Sequence, residues 1–553
     1  MPEELVGVPA APGIVAGPIE KMTDPVSDLG TPTAPEDAEA EIATARSALA
    51  EVETLLEKKS AGASNKDAAE ILAAQSMIAA DPTLADKVEA CIRSGLPATH
   101  AVTEAFDSFR ELLTQAGGYL AERVADLNDI CARVVAVLTG SPMPGIPERS
   151  EPFVLLARDL APADTAGLDP TRVLALVTFE GGPTSHTAII ARSLGIPAVV
   201  SCPTAAYALE DGVVIVDGDR GVVTLNPDNA LLADLEQRRA RIAELKQASR
   251  GPGKTADGHP IKLLANIGNA GEAPRAGEEC EGVGLLRTEF MFLDRSEEPP
   301  IDEQETRYLD VFNSFVGRRV IVRTLDAGAD KPVSWLDLEA GQNPALGIRG
   351  LRVARRHPHV LENQLEAISR AARRSEAEVW VMAPMVTTAG EASEFVVQAR
   401  ERGLQKIGIM VEVPALAICM DEIARLVDFI SIGTNDLCQY ISAADRVIGE
   451  LSDLLDHWQP ALIRLVRDIV VSARSGATPV GVCGESASDP PFALVLAGLG
   501  VSSLSMSPAS VPMVRAALKA HTVEECRQLA KLALGFSDPG EARTAVAEAT
   551  NLP

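Results

Sequence analysis

The sequence predicts an α/β fold in two parts: an N-terminal α/β domain with an inserted α-helical bundle, then a C-terminal (β/α)8 TIM barrel. Three observations predict it. From residue 262 onward the chain repeats one unit eight times, an apolar β-run, a Gly-rich or polar end and a helix, as a parallel barrel requires. Residues 152–225 carry short β-rich runs between Gly, Pro and Asp turns. Between Glu36 and Thr139 the texture is charged and Ala-rich, with helical spacing. The length of 553 residues fits three or four domains of about 150 residues each.

In chain order, LVGVPAAPGIVAGPIE (residues 5–20) reads as strand, turn and strand. Ala45, Leu49, Val52 and Leu56 are spaced 4, 3 and 4, which places them on one helix face. Asp81-Pro82-Thr83 starts a helix after a turn, and SGLPA at 94–98 marks another break. About four helices are expected here. The runs PFVLLARDL, RVLALVTFEGG, AVVS, VVIVDGD and VVTL supply strands that the first 20 residues join in one α/β domain. A charged helix spans 228–250, and SRGPGKTADG (249–258) has linker composition. Barrel strands are expected at Lys262–Asn266, Gly282–Thr288, Val320–Leu325, Trp380–Met385, Ile407–Val413, Phe429–Gly433, Pro479–Cys483 and Ser503–Met506. The expected division is therefore 1–25 with 141–227, the insert 26–140, the linker helix and hinge 228–258, and the barrel 259–553.

Composition narrows the function. With 46% hydrophobic and 23% charged residues, the chain is globular and wholesale disorder is excluded. Lys+Arg number 50 against 78 Asp+Glu, a net charge of −28. Such a chain is repelled by phosphate backbones and anionic lipid, so neither nucleic acid nor a membrane surface is an expected partner. A phosphorylated substrate would need cations gathered locally against this field. No run approaches the ~18 apolar residues of a membrane span, and MPEELVGVPA lacks a basic, apolar signal region. The eight cysteines show no CxxC spacing, which argues against zinc and disulfides and for a reducing, cytoplasmic setting.

In a parallel barrel the chemistry lies at the C-terminal ends of the strands. Those ends carry Asn266, Arg287 with Glu289, Arg323 with Asp326, Glu412, Asn435 with Asp436, and Cys483 with Glu485. Arginine forks grip carboxylate and phosphate oxygens. A hard cation takes one or two carboxylates plus substrate oxygens, as Glu412 and Asp436 could supply. Any one such residue could be an ordinary surface ion pair, and Cys483 alone a buried thiol. Their recurrence after most strands describes a pocket for a small, doubly anionic, phosphorylated acid.

A second motif is Gly181-Gly182-Pro183-Thr184-Ser185-His186-Thr187-Ala188-Ile189-Ile190-Ala191-Arg192. The Gly-Gly-Pro turn leads to Thr and Ser, which cap a helix expected from about His186 to Leu194. Unpaired N–H groups and the positive dipole end would favour phosphate on the His186 ring, and also the neutral, nucleophilic imidazole.

The string GGPTSHTAIIAR resembles the phosphohistidine segment of enzyme I of the bacterial phosphotransferase system (phosphoenolpyruvate–protein phosphotransferase). The likeness covers nearly the whole chain. GVPAAPGIVAG is similar to that family's N-terminal strands, and EGVGLLRTEFMF, VIVRTLDAGADK, NPALGIRGLR, IGIMVEVPA, FISIGTNDLCQY, AADR and GVCGES match its phosphoenolpyruvate-binding barrel in order. The resemblance implies that His186 takes the phosphoryl group, on Nε2. It makes Arg287 and Arg323 phosphoenolpyruvate-binding arginines, Glu412 and Asp436 the Mg2+ ligands, and Asn435, Asp436 and Arg446 further substrate contacts. Cys483 becomes the acid that protonates the enolate carbon, with Thr165, Lys331 and Arg349 supporting. It also implies that the insert docks the phosphocarrier HPr, that pyruvate is released, and that the chain forms a homodimer through the barrel. Residues 30–140 hold 18 acidic and 9 basic residues, which suits a small partner with a basic face.

Two departures accompany the match: Ala329 stands where the family usually has Gly, and LLDHWQPALIRL is less typical than its surroundings. Pyruvate phosphate dikinase and phosphoenolpyruvate synthase share the barrel and the histidine, but they need a nucleotide-grasping domain for which this chain has no room. The nitrogen-related paralogue adds a sensor ahead of the phosphohistidine domain, which here begins near residue 5. A non-catalytic scaffold would show decayed catalytic positions, whereas all those matched are present.

Overall fold

The computed structural model describes residues 3–552 apart from 12, 27, 63–65, 117–123, 148, 150, 161–167, 183–184, 206–211, 219, 249, 294, 329–332, 337, 339–342, 447 and 551. Side chains at 62, 66–68, 70–71, 115–116, 125, 186, 189, 193, 238, 241–243, 245–248 and 449–450 are also outside the description. The chain divides into two compact units, Met1–Gln237 and Arg238–Pro553.

The first unit holds an eight-stranded sheet built from β1 (Glu4–Val6), β2 (Val8–Ala11), β3 (Ile14–Lys21), β4 (Phe153–Ala157), β5 (Val173–Thr178), β6 (Ala198–Val200), β7 (Val213–Asp217) and β8 (Val222–Leu225). Its order is β1-β8-β7-β3-β4-β5-β6-β2. β3 to β6 run parallel, with antiparallel neighbours on both sides. β4 is apolar throughout and β5 is apolar up to its last residue, Thr178, because both faces are covered. Val154 and Leu156 enter one cluster, while Phe153, Leu155 and Ala157 enter the other, as the two-residue strand period demands.

Between β3 and β4 lie α1 (Ala38–Gly62), α2 (Lys66–Ala79), α3 (Pro82–Arg93), α4 (Ala98–Ala116) and α5 (Val124–Thr139). These are five described helices where about four were expected: the Ala-rich run from 38 to 79, with no Pro to mark a break, forms two. Ala45, Leu49, Val52 and Leu56 are all buried in the bundle core. Asp81 caps α3 by accepting the Thr83 N–H at 2.7 Å, with Pro82 in the first turn. After β5 comes α6 (His186–Leu194). Ser185 caps it by accepting the Ala188 N–H, and Gly195 ends it in the left-handed region at φ +70°. α7 (Asn229–Ala248) carries the chain from the first unit into the second.

The second unit is a closed barrel of eight parallel strands: β9 (Lys262–Ile267), β10 (Gly282–Leu286), β11 (Arg319–Arg323), β12 (Glu378–Ala383), β13 (Lys406–Val411), β14 (Phe429–Ile432), β15 (Val480–Val482) and β16 (Ser503–Met506). All eight expected strands form, with ends within a few residues of the expectation. Leu285, Ile321, Met382, Met410, Phe429 and Cys483 fill the interior. Alternate residues such as Leu286, Val322, Val381 and Val411 pack outward in the cluster shared with the helices. The less typical stretch around His457 is a packing element. Trp458 is fully buried against Phe492, its ring N–H donates to Asp489 at 2.9 Å, and His457 meets the same carboxylate.

The linker-like segment is bound to the barrel. The Gly253 N–H donates to Glu281 Oε2 at 2.8 Å, and Leu263 N–H to the same oxygen at 3.1 Å. Asp257 Oδ1 accepts the Val523 N–H at 3.0 Å, and Lys519 Nζ donates to the Arg250 carbonyl at 2.5 Å. Among the described residues no helix is long and apolar enough to cross a membrane.

Candidate active site

The loops after the barrel strands assemble an alternating ladder of charge. Arg323, the last residue of β11, donates from Nη2 to Glu289 Oε1 at 2.8 Å and meets Asp326 Oδ2 at 3.1 Å. Arg349 donates to both oxygens of Asp326 at 3.0 Å, and to both oxygens of Asp436 at 2.9 and 3.1 Å. Arg446 lies 3.6 Å from Asp436. The order is thus Glu289, Arg323, Asp326, Arg349, Asp436, Arg446. Arg349, Asp326 and Glu412 each have 0% of their surface exposed. Charges so deep persist only when paired.

Burial works against the charges of Arg323 and Arg349, yet Glu289 and Asp326 for the first, and Asp326 and Asp436 for the second, raise both above the ordinary arginine value. Burial would likewise raise Asp436, but Arg349 and Arg446 hold it below the usual carboxylate range. Glu412 goes the other way: burial, with Asp436 and Asp326 nearby, pushes it up to about 8. Its Oε1 accepts the Met385 N–H at 2.6 Å, an amide turned inward by a left-handed φ of +56°. Its Oε2 is buried and has no hydrogen-bond partner. Such an oxygen, beside a second carboxylate, fits a hard cation. Among the described residues no group of three or more His, Cys, Asp or Glu forms a complete cage, so the remaining ligands would come from substrate and water.

Cys483 sits at the end of β15, 5% exposed. Burial pushes its thiol up to about 11, with Ser431, Arg323 and Arg287 offsetting part of the rise. Asn266 Nδ2 donates to the Cys483 carbonyl at 3.0 Å, and Asn435 Oδ1 accepts the Glu485 N–H at 3.0 Å. Gly484 lets these loops meet, because a Cβ there would collide with Thr434 Oγ1. Arg287 is exposed at the end of β10, and its charge reaches Cys483 and Glu272.

Of the residues singled out by sequence, Arg323, Arg349, Glu412, Asp436, Arg446 and Cys483 come together in this barrel, with Arg287, Asn266 and Asn435 on the same strand ends. His186 is the first residue of α6 in the other unit; its side chain lies outside the described residues, as do Thr165 and Lys331. Next to it, Thr187 Oγ1 donates to Asp159 Oδ1 at 2.6 Å. The sequence reading gave no role to Asp159, to Ser431 or to the Met385 amide. Strand-end position could have flagged Asp159, which follows β4 closely. Nothing in the sequence marks a backbone turned inward at Met385.

A sheet unit with a capped histidine helix, and a barrel whose mouth gathers arginines and carboxylates, define a phosphoenolpyruvate-utilising enzyme. Three family profiles match in chain order: the N-terminal domain of the PEP-utilising enzymes over residues 6–123, their mobile domain over 149–221, and their PEP-binding domain over 242–523. A phosphoenolpyruvate-protein phosphotransferase of Streptomyces coelicolor is 48% identical over 553 residues, covering 99% of both chains. One from Haloferax volcanii is 42% identical over 476 residues, 82% of each. A solution structure described as Enzyme I (nEIt) is 35% identical, covers 43% of this chain and 99% of its own, and has a TM-score of 0.40. The chain belongs to the phosphoenolpyruvate–protein phosphotransferase family, the enzyme I proteins of the phosphotransferase system. It is a phosphotransferase that draws on phosphoenolpyruvate.

Proposed function

We propose that the chain moves the phosphoryl group of phosphoenolpyruvate to His186 and then to the histidine of HPr, releasing pyruvate as the first step of phosphotransferase-system sugar uptake. The observation that carries this reading is the charge ladder at the barrel mouth, set beside the unpartnered Glu412 oxygen and the buried Cys483 thiol. Arg287, Arg323 and Arg446 grip the phosphate and carboxylate of the substrate, with Asn435 as a further contact. Arg349 holds Asp326 and Asp436 in place and does not itself need to touch substrate. Phosphoryl transfer asks mainly for alignment and charge stabilisation, which a rigid ladder supplies. Glu412 and Asp436 would hold Mg2+, which when bound neutralises charge on the substrate oxygens. The N-terminal position of His186 on α6 favours an anionic group on its ring. Cys483 donates its proton to the enolate carbon, and a thiol held near 11 stays protonated at neutral pH.

The acidic helices α1 to α5 are the proposed docking surface for HPr, and the barrel the proposed homodimer contact. Thr165 and Lys331 keep supporting roles on the resemblance. The test is labelling with radioactive phosphoenolpyruvate, with and without Mg2+ and purified HPr. The unaltered chain should acquire an acid-labile, base-stable phosphate that HPr removes. His186→Ala should acquire none, and a label that persists would overturn the assignment.

A further inference from the structure

The inner wall of the barrel below Cys483 carries serines among its apolar residues. Barrel interiors are ordinarily filled by bulky branched side chains. Here Ser431, Ser503 and Ser505 occupy inner positions, all buried. Gly481 pairs with both Ser431 and Ser503, and a Cβ on it would run into Ser503 Oγ. These residues, with Trp380 and Arg319, line a small cavity of about 20 Å3, room for about one water. Its rim includes Pro479, which is exposed, and Ser502, which is half-buried, both preceding strands at the N-terminal end of the barrel. The Arg319 guanidinium covers the Trp380 ring at 3.6 Å beside it.

The cavity wall connects to Cys483 in two ways. Ser431 lines the cavity on β14, next to Ile432, whose carbonyl accepts from the Cys483 Sγ at 3.6 Å, and the Ser431 hydroxyl is one of the groups that hold the thiol's rise in check. Ser505 Oγ donates to Asn266 Oδ1 at 2.6 Å, and Asn266 donates to the Cys483 carbonyl. An all-apolar layer would pack better, so buried serines around a void whose rim reaches the barrel's N-terminal end need another reason.

We propose that Ser431 and the serine-lined cavity form a proton relay that restores the Cys483 thiol from the solvent at the N-terminal end of the barrel. The relay rests on Cys483 being the carbon acid. In that step the electron pair of the enolate C=C bond takes the thiol proton at carbon, the C–O bond becomes a carbonyl, and a thiolate remains. The thiolate then takes the Ser431 hydroxyl proton while Ser431 takes one from a cavity water. Solvent makes up the loss, so one proton is consumed per pyruvate. This route leaves the mouth to the substrate.

Steady-state pyruvate formation from phosphoenolpyruvate, with excess HPr accepting the phosphoryl group, tests the relay with Ser431→Ala, Ser431→Thr and the cavity-filling Ser503→Val, each in H2O and D2O. Phosphate exchange between HPr and His186 and the KM for phosphoenolpyruvate are followed alongside. General acid catalysis contributes at least about a hundredfold; losing its resupply should slow turnover about tenfold in Ser431→Ala and Ser503→Val. The solvent isotope effect should grow, Ser431→Thr should recover most of the rate, and exchange and KM should stay as in the unaltered chain. If both slow variants turn over at the unaltered rate, the relay is wrong. A matched fall in exchange or a changed KM would also overturn it, since the serines would then only support the fold. Cys483→Ala is run in parallel. If it forms pyruvate normally, the carbon-acid reading has failed; if it is slow while the serine variants are not, only the relay has.

Discussion

Replacing Arg349 by methionine keeps length and shape but removes the cation between Asp326 and Asp436. Arg349 is fully buried and makes four hydrogen bonds of 2.9–3.1 Å to the two carboxylates. Without it, two buried acids face each other with no guanidinium between them, and breaking such a pair costs about 3–5 kcal/mol. The cost depends on pH. Asp436 is held below its ordinary value, so its stabilising share is fully present above the unfolded pKa of about 3.9 and fades as pH falls through the lower folded value. In Arg349→Met the carboxyls shift upward instead, so stability falls as pH rises above about 4. The gap between the two proteins should therefore be widest at pH 7.5 and smaller at pH 5. Urea unfolding followed by tryptophan fluorescence suits the measurement. The three tryptophans, Trp335, Trp380 and Trp458, all lie in the barrel unit, so the signal reports that unit. A loss below about 1 kcal/mol at pH 7.5, the level of an exposed pair, would refute the argument, as would an equal loss at both pH values.

Thiol alkylation at pH 8 without denaturant should label the exposed Cys419 first, while Cys483 and Cys438, pushed up to about 11, and Cys280 and Cys526, pushed up to about 12, react only after unfolding. Mass spectrometry of timed samples reads the order, and equal rates for Cys419 and Cys483 would contradict the burial assigned to Cys483. Calorimetric titration of Mg2+ in the presence of phosphoenolpyruvate should show about a tenfold or greater loss of affinity in Asp436→Ala and in Glu412→Gln. Unchanged affinity in either variant removes that residue from the proposed metal site.

The barrel was legible because each strand is an apolar run closed by turn residues, and because strand-end chemistry in such folds follows a rule. Arg323, Glu412, Asp436 and Cys483 were found in this way. Arg349 was less legible. Its GIRGLR motif lies between β11 and β12, and no local pattern says that it folds under the mouth to hold acids 23 residues before it and 87 after it. The packing of the linker was not legible for a similar reason. GPGKTADG has the Gly and Pro of a free segment, but its partners Glu281, Lys519 and Val523 are distant in sequence. Helix number in the insert failed on a purely local matter, an Ala-rich run whose break no Pro announces.

The strap from Arg250 to Ile261 decides where the barrel can be cut. Glu281 spends one carboxylate oxygen on the Gly253 and Leu263 amides and the other on Lys262. A fragment that began at residue 259 would strip the Gly253 amide from that anchorage, together with the Asp257 carboxylate that receives the Val523 amide. It would present the bottom of the first strand as a ragged edge. A fragment beginning ahead of Arg250 would keep the clasp closed and should be the better starting point for preparing the barrel alone. The same clasp ties the chain to the barrel from Arg250 onward, ahead of the first strand.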